Sequence, residues 1–548
     1  MKRKTWIASA LMYALVFLVC FGVLHVFKKI TTAGDSTEYT TQAAADTDIV
    51  IDGAAEDADS KNGKNDGNGE TGPSEDTDKM QEEDGEKDTH IKRETGYKGW
   101  NKTIKQVWPA IPEELPYTPP KIIQATDVHY QSADAEDDGA AFQFFVDRCD
   151  GKVVKYLPQL LDAFMDQVIA EKPTALVLSG DITMNGEKIN HKELAEKLHK
   201  VQDAGIPVLI IPGNHDINNP NAAVYFGDEK TSTDSVTPEE FYDIYHMYGY
   251  DQAISRDSAS LSYVYQLDER NRLLMLDSCQ YEPKNLVEGR IKAETLVWMD
   301  EQLKKAQEDG MQILPIAHHN LLAQSRMYTT QCAMENNGEV IDLLQKYKIP
   351  LFLSGHLHVQ RIRKHKAEPG VADDAYGIQE IITDAMSIPP CQYGILQWKE
   401  DGSMEYSTES VDVSAWAKRT EQEDTNLLDF ETWSEKYIQK LIADQIGGVV
   451  RNVGSDVKRS MAVTYADVYI DYYAGRKIDA KGVRTSEGYT WWERNLPDSY
   501  LIKELNSMIN DADRDNNYLL LPEDTILEER YAWKKATASE ATPSEAGR

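Results

Sequence analysis

Five times along the chain a short apolar run of strand length ends directly in residues of metal-ligating type. Residues 122–125 lead into Asp127-Val128-His129, residues 175–178 into Gly180-Asp181, and residues 208–211 into Gly213-Asn214-His215-Asp216. Residues 313–317 lead into His318-His319, and residues 351–353 into Gly355-His356-Leu357-His358. Such runs, rich in Val, Ile and Leu and alternating with helical segments, are the pattern of an α/β domain. One intervening helix is visible in the spacing of Ile291, Leu296, Met299 and Leu303, with Gly310 as its stop. Ligands bind at the carboxyl ends of strands in open α/β sheets, so the five clusters are expected on one rim despite their separation in sequence. A sixth run, 273–276, ends in Asp277 without a histidine beside it, and a structural hydrogen-bonding role is expected there.

The residue types point to a particular chemistry. Two hard-to-borderline cations held close together need several imidazoles, carboxylates and an amide oxygen, with one carboxylate able to bridge. Such a pair polarises a phosphoryl group and generates hydroxide near neutral pH. Glycines 180, 213 and 355 let the backbone turn sharply after each strand.

Asp127-x-His129, Gly180-Asp181, Gly213-Asn214-His215-Asp216, His318 and Gly355-His356-x-His358, in this order, resemble the calcineurin-like metallophosphoesterase family. The resemblance implies a four-layer sandwich of two mixed β-sheets flanked by helices, with a centre of two divalent metal ions at the strand ends. It assigns Asp127, His129 and His358 to the first ion, Asn214, His318 and His356 to the second, and Asp181 to both. His319 is the reserve for His318. By the same resemblance His215 contacts the phosphate and acts as acid toward the leaving oxygen, with Asp216 orienting it. The plan is also similar to class III cyclic-nucleotide phosphodiesterases. The expected substrate is a small phosphate ester, first a phosphodiester such as a cyclic nucleotide, attacked in line by hydroxide held at the metals. A phosphomonoesterase or nucleotidase of the same fold is the alternative, and a non-catalytic cell-surface binding protein is the reading from a different class. Iron, manganese, zinc and cobalt all suit the ligand set.

Around this domain, expected at residues 109–405, the chain changes character. Residues 5–27 form an apolar run without charge, long enough to cross a hydrocarbon core of about 30 Å. A transmembrane anchor over 1–30 is expected, with cleavage of a signal at Thr32-Ala33-Gly34 as the rival. Lys2, Arg3 and Lys4 favour a cytoplasmic N-terminus, which puts the catalytic domain outside the cytoplasm in a single-pass cell-membrane protein. Residues 31–108 read as a disordered acidic linker and 535–548 as a disordered tail. Residues 406–534 read as a small, mostly helical extension, from the helical spacing of Tyr437, Ile438, Leu441, Ile442 and Ile446, of Val463, Ala466, Ile470 and Tyr473, and of Leu501, Leu505 and Met508. The formal net charge of -34 disfavours a polymeric nucleic-acid partner, which needs clustered Lys and Arg.

Overall fold

The computed structural model of the protein describes residues 117–325, 331–365, 377–451 and 453–521. The expected anchor, the acidic linker and the tail after 535 lie outside the described residues. Among the described residues no helix is long and apolar enough to cross a membrane.

All six apolar runs are strands, and they divide between two sheets. The first sheet has the order Tyr518–Leu521, Met404–Ser410, Gln392–Trp398, Lys121–Ala125, Ala175–Ser179, Val208–Ile211. The second runs Arg361–Lys364, Gln379–Ile382, Leu351–Ser354, Gln312–Ala317, Asn271–Leu276, Tyr263–Gln266, Ser255–Arg256. Lys121–Ala125, Ala175–Ser179 and Val208–Ile211 are mutually parallel, as are Asn271–Leu276, Gln312–Ala317, Leu351–Ser354 and Gln379–Ile382. Antiparallel strands complete one side of the first sheet and both edges of the second, so both sheets are mixed.

Period-two alternation shows how the layers bury these strands. Leu273 and Met275 belong to the main core with Ile123, Leu176 and Ile210, whereas Leu274 and Leu276 belong to a second cluster with Met299, Leu303, Val340 and Leu344. One face of the second sheet therefore packs toward the first sheet. Its other face is covered by the helices Ala293–Glu308 and Asn337–Lys346. Strands buried on both faces read as unbroken apolar runs, which is why these were visible in the sequence.

The C-terminal helices Phe430–Val449, Ser455–Tyr473, Glu487–Asn495 and Tyr500–Asp511 build their own core around Ile442, Tyr465, Trp492 and Leu505. The expected boundary at 405/406 lies within the strand Met404–Ser410, and Tyr518–Leu521 returns from the helical region to pair with that strand. The helical core also takes in Leu357, Val359 and Ile382 of the α/β unit. A buried ion pair ties the two units together, since Asp511 accepts from Arg361, Arg363 and the Tyr472 hydroxyl at 3.1, 3.1 and 3.0 Å.

Candidate metal centre

Strand ends from both sheets meet at one place. His129 Nε2 lies 3.2 Å from His358 Nε2 and 3.9 Å from Asp181 Oδ2, and His358 Nε2 lies 3.1 Å from Asp127 Oδ1. On the other side of Asp181, His318 Nε2 is 3.2 Å from Asp181 Oδ2 and 3.2 Å from Asn214 Oδ1. Asp127, His129, Asp181 and His358 can thus offer ligand atoms within 4.8 Å of one another, and so can His318, His319 and His356.

The surrounding hydrogen bonds decide which atoms face inward. Asp127 Oδ2 accepts from the Thr126 hydroxyl at 2.7 Å and from His356 N–H at 3.0 Å, while Oδ1 accepts no hydrogen bond. Asp181 Oδ1 accepts from His215 N–H at 2.8 Å, leaving Oδ2 toward the histidines. His318 Nδ1 donates to Ser179 O at 3.1 Å, so its Nε2 faces the centre. His356 is reversed: its Nε2 donates to Gln331 O at 2.8 Å, leaving Nδ1 as the free atom. His319 stands in the same trio, yet both its nitrogens are engaged, Nδ1 by the Ser278 hydroxyl at 2.8 Å and Nε2 by Val287 O at 2.9 Å. His318 is therefore the one of the pair with a nitrogen to spare.

Backbone geometry carries the mark of the site. Asp127, His129, Asp181, His356 and His358 have φ of 52, 46, 47, 69 and 58°, a left-handed region that is costly for residues with a Cβ and that clusters at functional sites. Gly180, at φ 96°, packs directly on a ligand, because a Cβ there would lie 2.5 Å from His318 Nδ1.

The donor set fits divalent cations. Asp127 and Asp181 are 0% and 1% exposed, and among the described residues neither pairs with a Lys or Arg. Buried carboxylates of this kind need a compensating positive charge. Burial opposes ionisation of Asp181, but His318, His215 and His129 outweigh it and hold the carboxyl well below its ordinary range. Conversely, burial disfavours a charged His318, yet Asp181 and Asp127 push it up to about 9, so a proton sits where a cation's charge is wanted. His129 and His356 are pushed down, first by burial and then by the neighbouring positive groups, and remain neutral donors.

Residues 120–360 match the family described as calcineurin-like phosphoesterase. The chain carries a calcineurin-like phosphoesterase domain. It is accordingly a hydrolase of phosphate esters, and residues 412–515 beside the phosphoesterase domain match the C-terminal domain of cyclic nucleotide phosphodiesterase. A probable cyclic nucleotide phosphodiesterase of Ruthia magnifica subsp. Calyptogena magnifica is 27% identical over 199 residues, 36% of this chain and 68% of the relative. A protein of the same description from Vesicomyosocius okutanii subsp. Calyptogena okutanii is 26% identical over 184 residues, 33% of this chain and 61% of the relative, less than two thirds of its length. A solved dimetal phosphatase from Danio rerio is similar with 15% identity and a TM-score of 0.38, over 53% of this chain and 96% of that one.

At the rim of the phosphoesterase domain, His215 Nε2 lies 4.0 Å from Asp181 Oδ2. Its Nδ1 donates to Met184 O at 2.7 Å, with Asn185 Oδ1 at 3.1 Å. The expectation that Asp216 orients this ring is corrected. Asp216 is fully buried and accepts from Gly213 N, Ile182 N, Thr183 N and the Thr183 hydroxyl, at 2.8, 3.2, 2.9 and 2.8 Å, so it clamps two ligand loops together. The sequence reading missed Asn185 and also Ser387, whose N–H and hydroxyl both reach Asp127 O. Neither belongs to a metal-ligating cluster, and no local pattern marks them. His191 is wholly buried among Thr183, Tyr245 and Asp216 O, a structural histidine. Asp277 accepts from Cys279 N, Leu261 N and the Tyr281 hydroxyl, the structural role expected of it.

Proposed function

We propose that this phosphoesterase hydrolyses a small phosphodiester, cyclic nucleotides being the leading class, at a centre of two divalent ions. The observation that carries the reading is Asp181 Oδ2, which stands between one set of ligand atoms from Asp127, His129 and His358 and another from Asn214 and His318. In this reading Asp127, His129 and His358 would hold one ion, and Asn214, His318 and His356 the other, with Asp181 available to both. When bound, such ions supply Lewis acidity toward the phosphoryl oxygens and lower the pKa of water. His215 keeps its Nδ1 proton on Met184 O, which leaves its Nε2 to donate a proton to the leaving oxygen. The names of the two relatives and the match of residues 412–515 support the diester and cyclic-nucleotide side of the reading.

The test is kcat/KM of the metal-loaded chain for cyclic nucleotides, an aryl phosphodiester and an aryl phosphomonoester. Preference for diesters supports the proposal. Preference for the monoester moves the assignment to a phosphomonoesterase or nucleotidase, and absence of turnover with two ions bound moves it to a binding protein. The charge-free run at 5–27 further supports a membrane-tethered form with the domain outside the cytoplasm, which cell fractionation combined with external protease treatment tests.

A further inference from the structure

The segment from His356 to Ile362 belongs to two structures at once. His356 and His358 stand in the metal centre, whereas Leu357 and Val359, alternating with them, belong to the core of the C-terminal helices with Tyr465, Tyr469 and Met508. Both histidines have left-handed backbone, which persists only where the surroundings over-determine it. From the α/β unit, Asp127 Oδ2 accepts from His356 N–H at 3.0 Å. The strand that follows, Arg361–Lys364, is the edge of the second sheet and pairs there with Gln379–Ile382 alone. Backbone groups on its outer side need partners from elsewhere.

The helical unit supplies those partners. Gln360 N–H donates to Tyr473 O at 2.8 Å, and Gln360 Nε2 donates to Asn516 O at 2.9 Å. Ile362 N–H donates to Asn516 Oδ1 at 3.2 Å, and Ile362 O accepts from the Arg514 guanidinium. Gln360 is fully buried, and its Oε1 accepts from Asp384 N–H at 3.3 Å and from the Tyr406 hydroxyl at 3.2 Å. One side chain, two residues beyond His358, thus joins the helical unit to both sheets. Gly475 closes the joint. Its φ is 67°, a Cβ there would lie 2.6 Å from Gln360 O and 2.7 Å from Gln360 Cβ, and its carbonyl accepts from Asn516 N–H at 2.8 Å.

We propose that the C-terminal helical unit sets the metal affinity of the phosphoesterase centre, by holding His356 and His358 in ligand geometry through Gln360, Gly475 and Asn516. These three are positioning residues, since none belongs to the ligand set and each acts through the backbone that carries the two histidines. The proposal rests on the two-ion reading and deepens it, because it gives the helical unit a part in building the site.

The test titrates manganese by calorimetry into the metal-free full chain and its Gly475→Ala, Asn516→Ala and Gly488→Ala variants. Thermal midpoints and turnover of an aryl phosphodiester at saturating manganese are measured beside it. Gly488 is the control: a Cβ there would lie 2.5 Å from Ser460 O, a clash of similar size confined to the helices Glu487–Asn495 and Ser455–Tyr473. Gly475→Ala is expected to weaken binding of at least one ion by roughly 10- to 100-fold, the range for groups that orient metal ligands, and to regain most of its turnover at saturating manganese. Asn516→Ala shifts the affinity in the same direction, and still reads the proposal should Gly475→Ala fail to fold. Gly488→Ala lowers the thermal midpoint and leaves the affinity as it was. Unchanged affinity in Gly475→Ala and Asn516→Ala, or an equal loss in Gly488→Ala, overturns the proposal. An unaltered chain that binds no manganese sinks the two-ion reading itself and this inference with it, so the unaltered chain tells the two failures apart.

Discussion

His129 Nε2 and His358 Nε2 face each other at 3.2 Å across 229 positions of sequence, both in left-handed backbone. Two imidazole nitrogens so placed share at most one proton, and neither turn is relaxed. A cation binding both relieves the repulsion and offsets the backbone cost, so metal binding is coupled to folding here. Removing metal with a chelator is expected to lower the thermal midpoint, and adding manganese or zinc back to restore it. An identical midpoint with and without chelator would contradict this.

His318 and His319 are adjacent, but their substitutions should separate cleanly. His318→Asn is expected to reduce bound metal from two ions toward one and to abolish turnover. His319→Asn is expected to keep both ions while costing about 1–3 kcal/mol of stability, because Ser278 and Val287 O lose buried partners. Metal analysis and chemical denaturation of the two variants read this directly.

His215→Asn leaves every proposed ligand in place. Metal content should therefore be unchanged while kcat falls by about 10²–10⁴-fold, the usual contribution of a positioned proton donor. Asp216→Asn acts differently, since its carboxylate clamps Gly213 and Thr183; loss of stability is expected to accompany any loss of rate.

Glu504 in the helical unit gives a pH signature far from the metals. Burial pushes its carboxyl up to about 7 from an ordinary 4.5, opposed by the Tyr465 hydroxyl that donates to it. The folded state then binds more protons than the unfolded one between those values, so this group's contribution is full below pH 4.5 and is lost as pH rises toward 7. Glu504→Gln should remove that loss, making the helical unit more stable above pH 7 by an amount on the order of 3 kcal/mol at most. Denaturation curves for both proteins at pH 5 and pH 8 measure it; an equal pH dependence in the two would refute the assignment.

The strands that carry the centre were legible because both their faces are buried and they read as continuous apolar runs. The strands Met404–Ser410 and Tyr518–Leu521 were not: the first alternates buried Met404 and Tyr406 with half-exposed Glu405 and Ser407, and the second returns from a helical region. The clusters at the strand ends announced a common rim, and the structure brings them together. Asp216 was misread because adjacency in sequence suggested contact with His215, whereas its carboxylate is taken up by backbone N–H groups of other loops. The hydrogen bonds that occupy both nitrogens of His319 come from Ser278 and Val287, which no local pattern connects to it.

The most direct test of the central claim is metal stoichiometry and turnover of an aryl phosphodiester, measured together on the chain and on Asp181→Asn. Two ions per chain with metal-dependent hydrolysis are expected in the first. In the second the affinity for at least one ion should fall by about 100-fold or more, since even outer partners of metal ligands cost 10–100-fold, and hydrolysis should disappear. An Asp181→Asn chain that binds two ions as tightly and hydrolyses the diester as fast as the original would contradict the account.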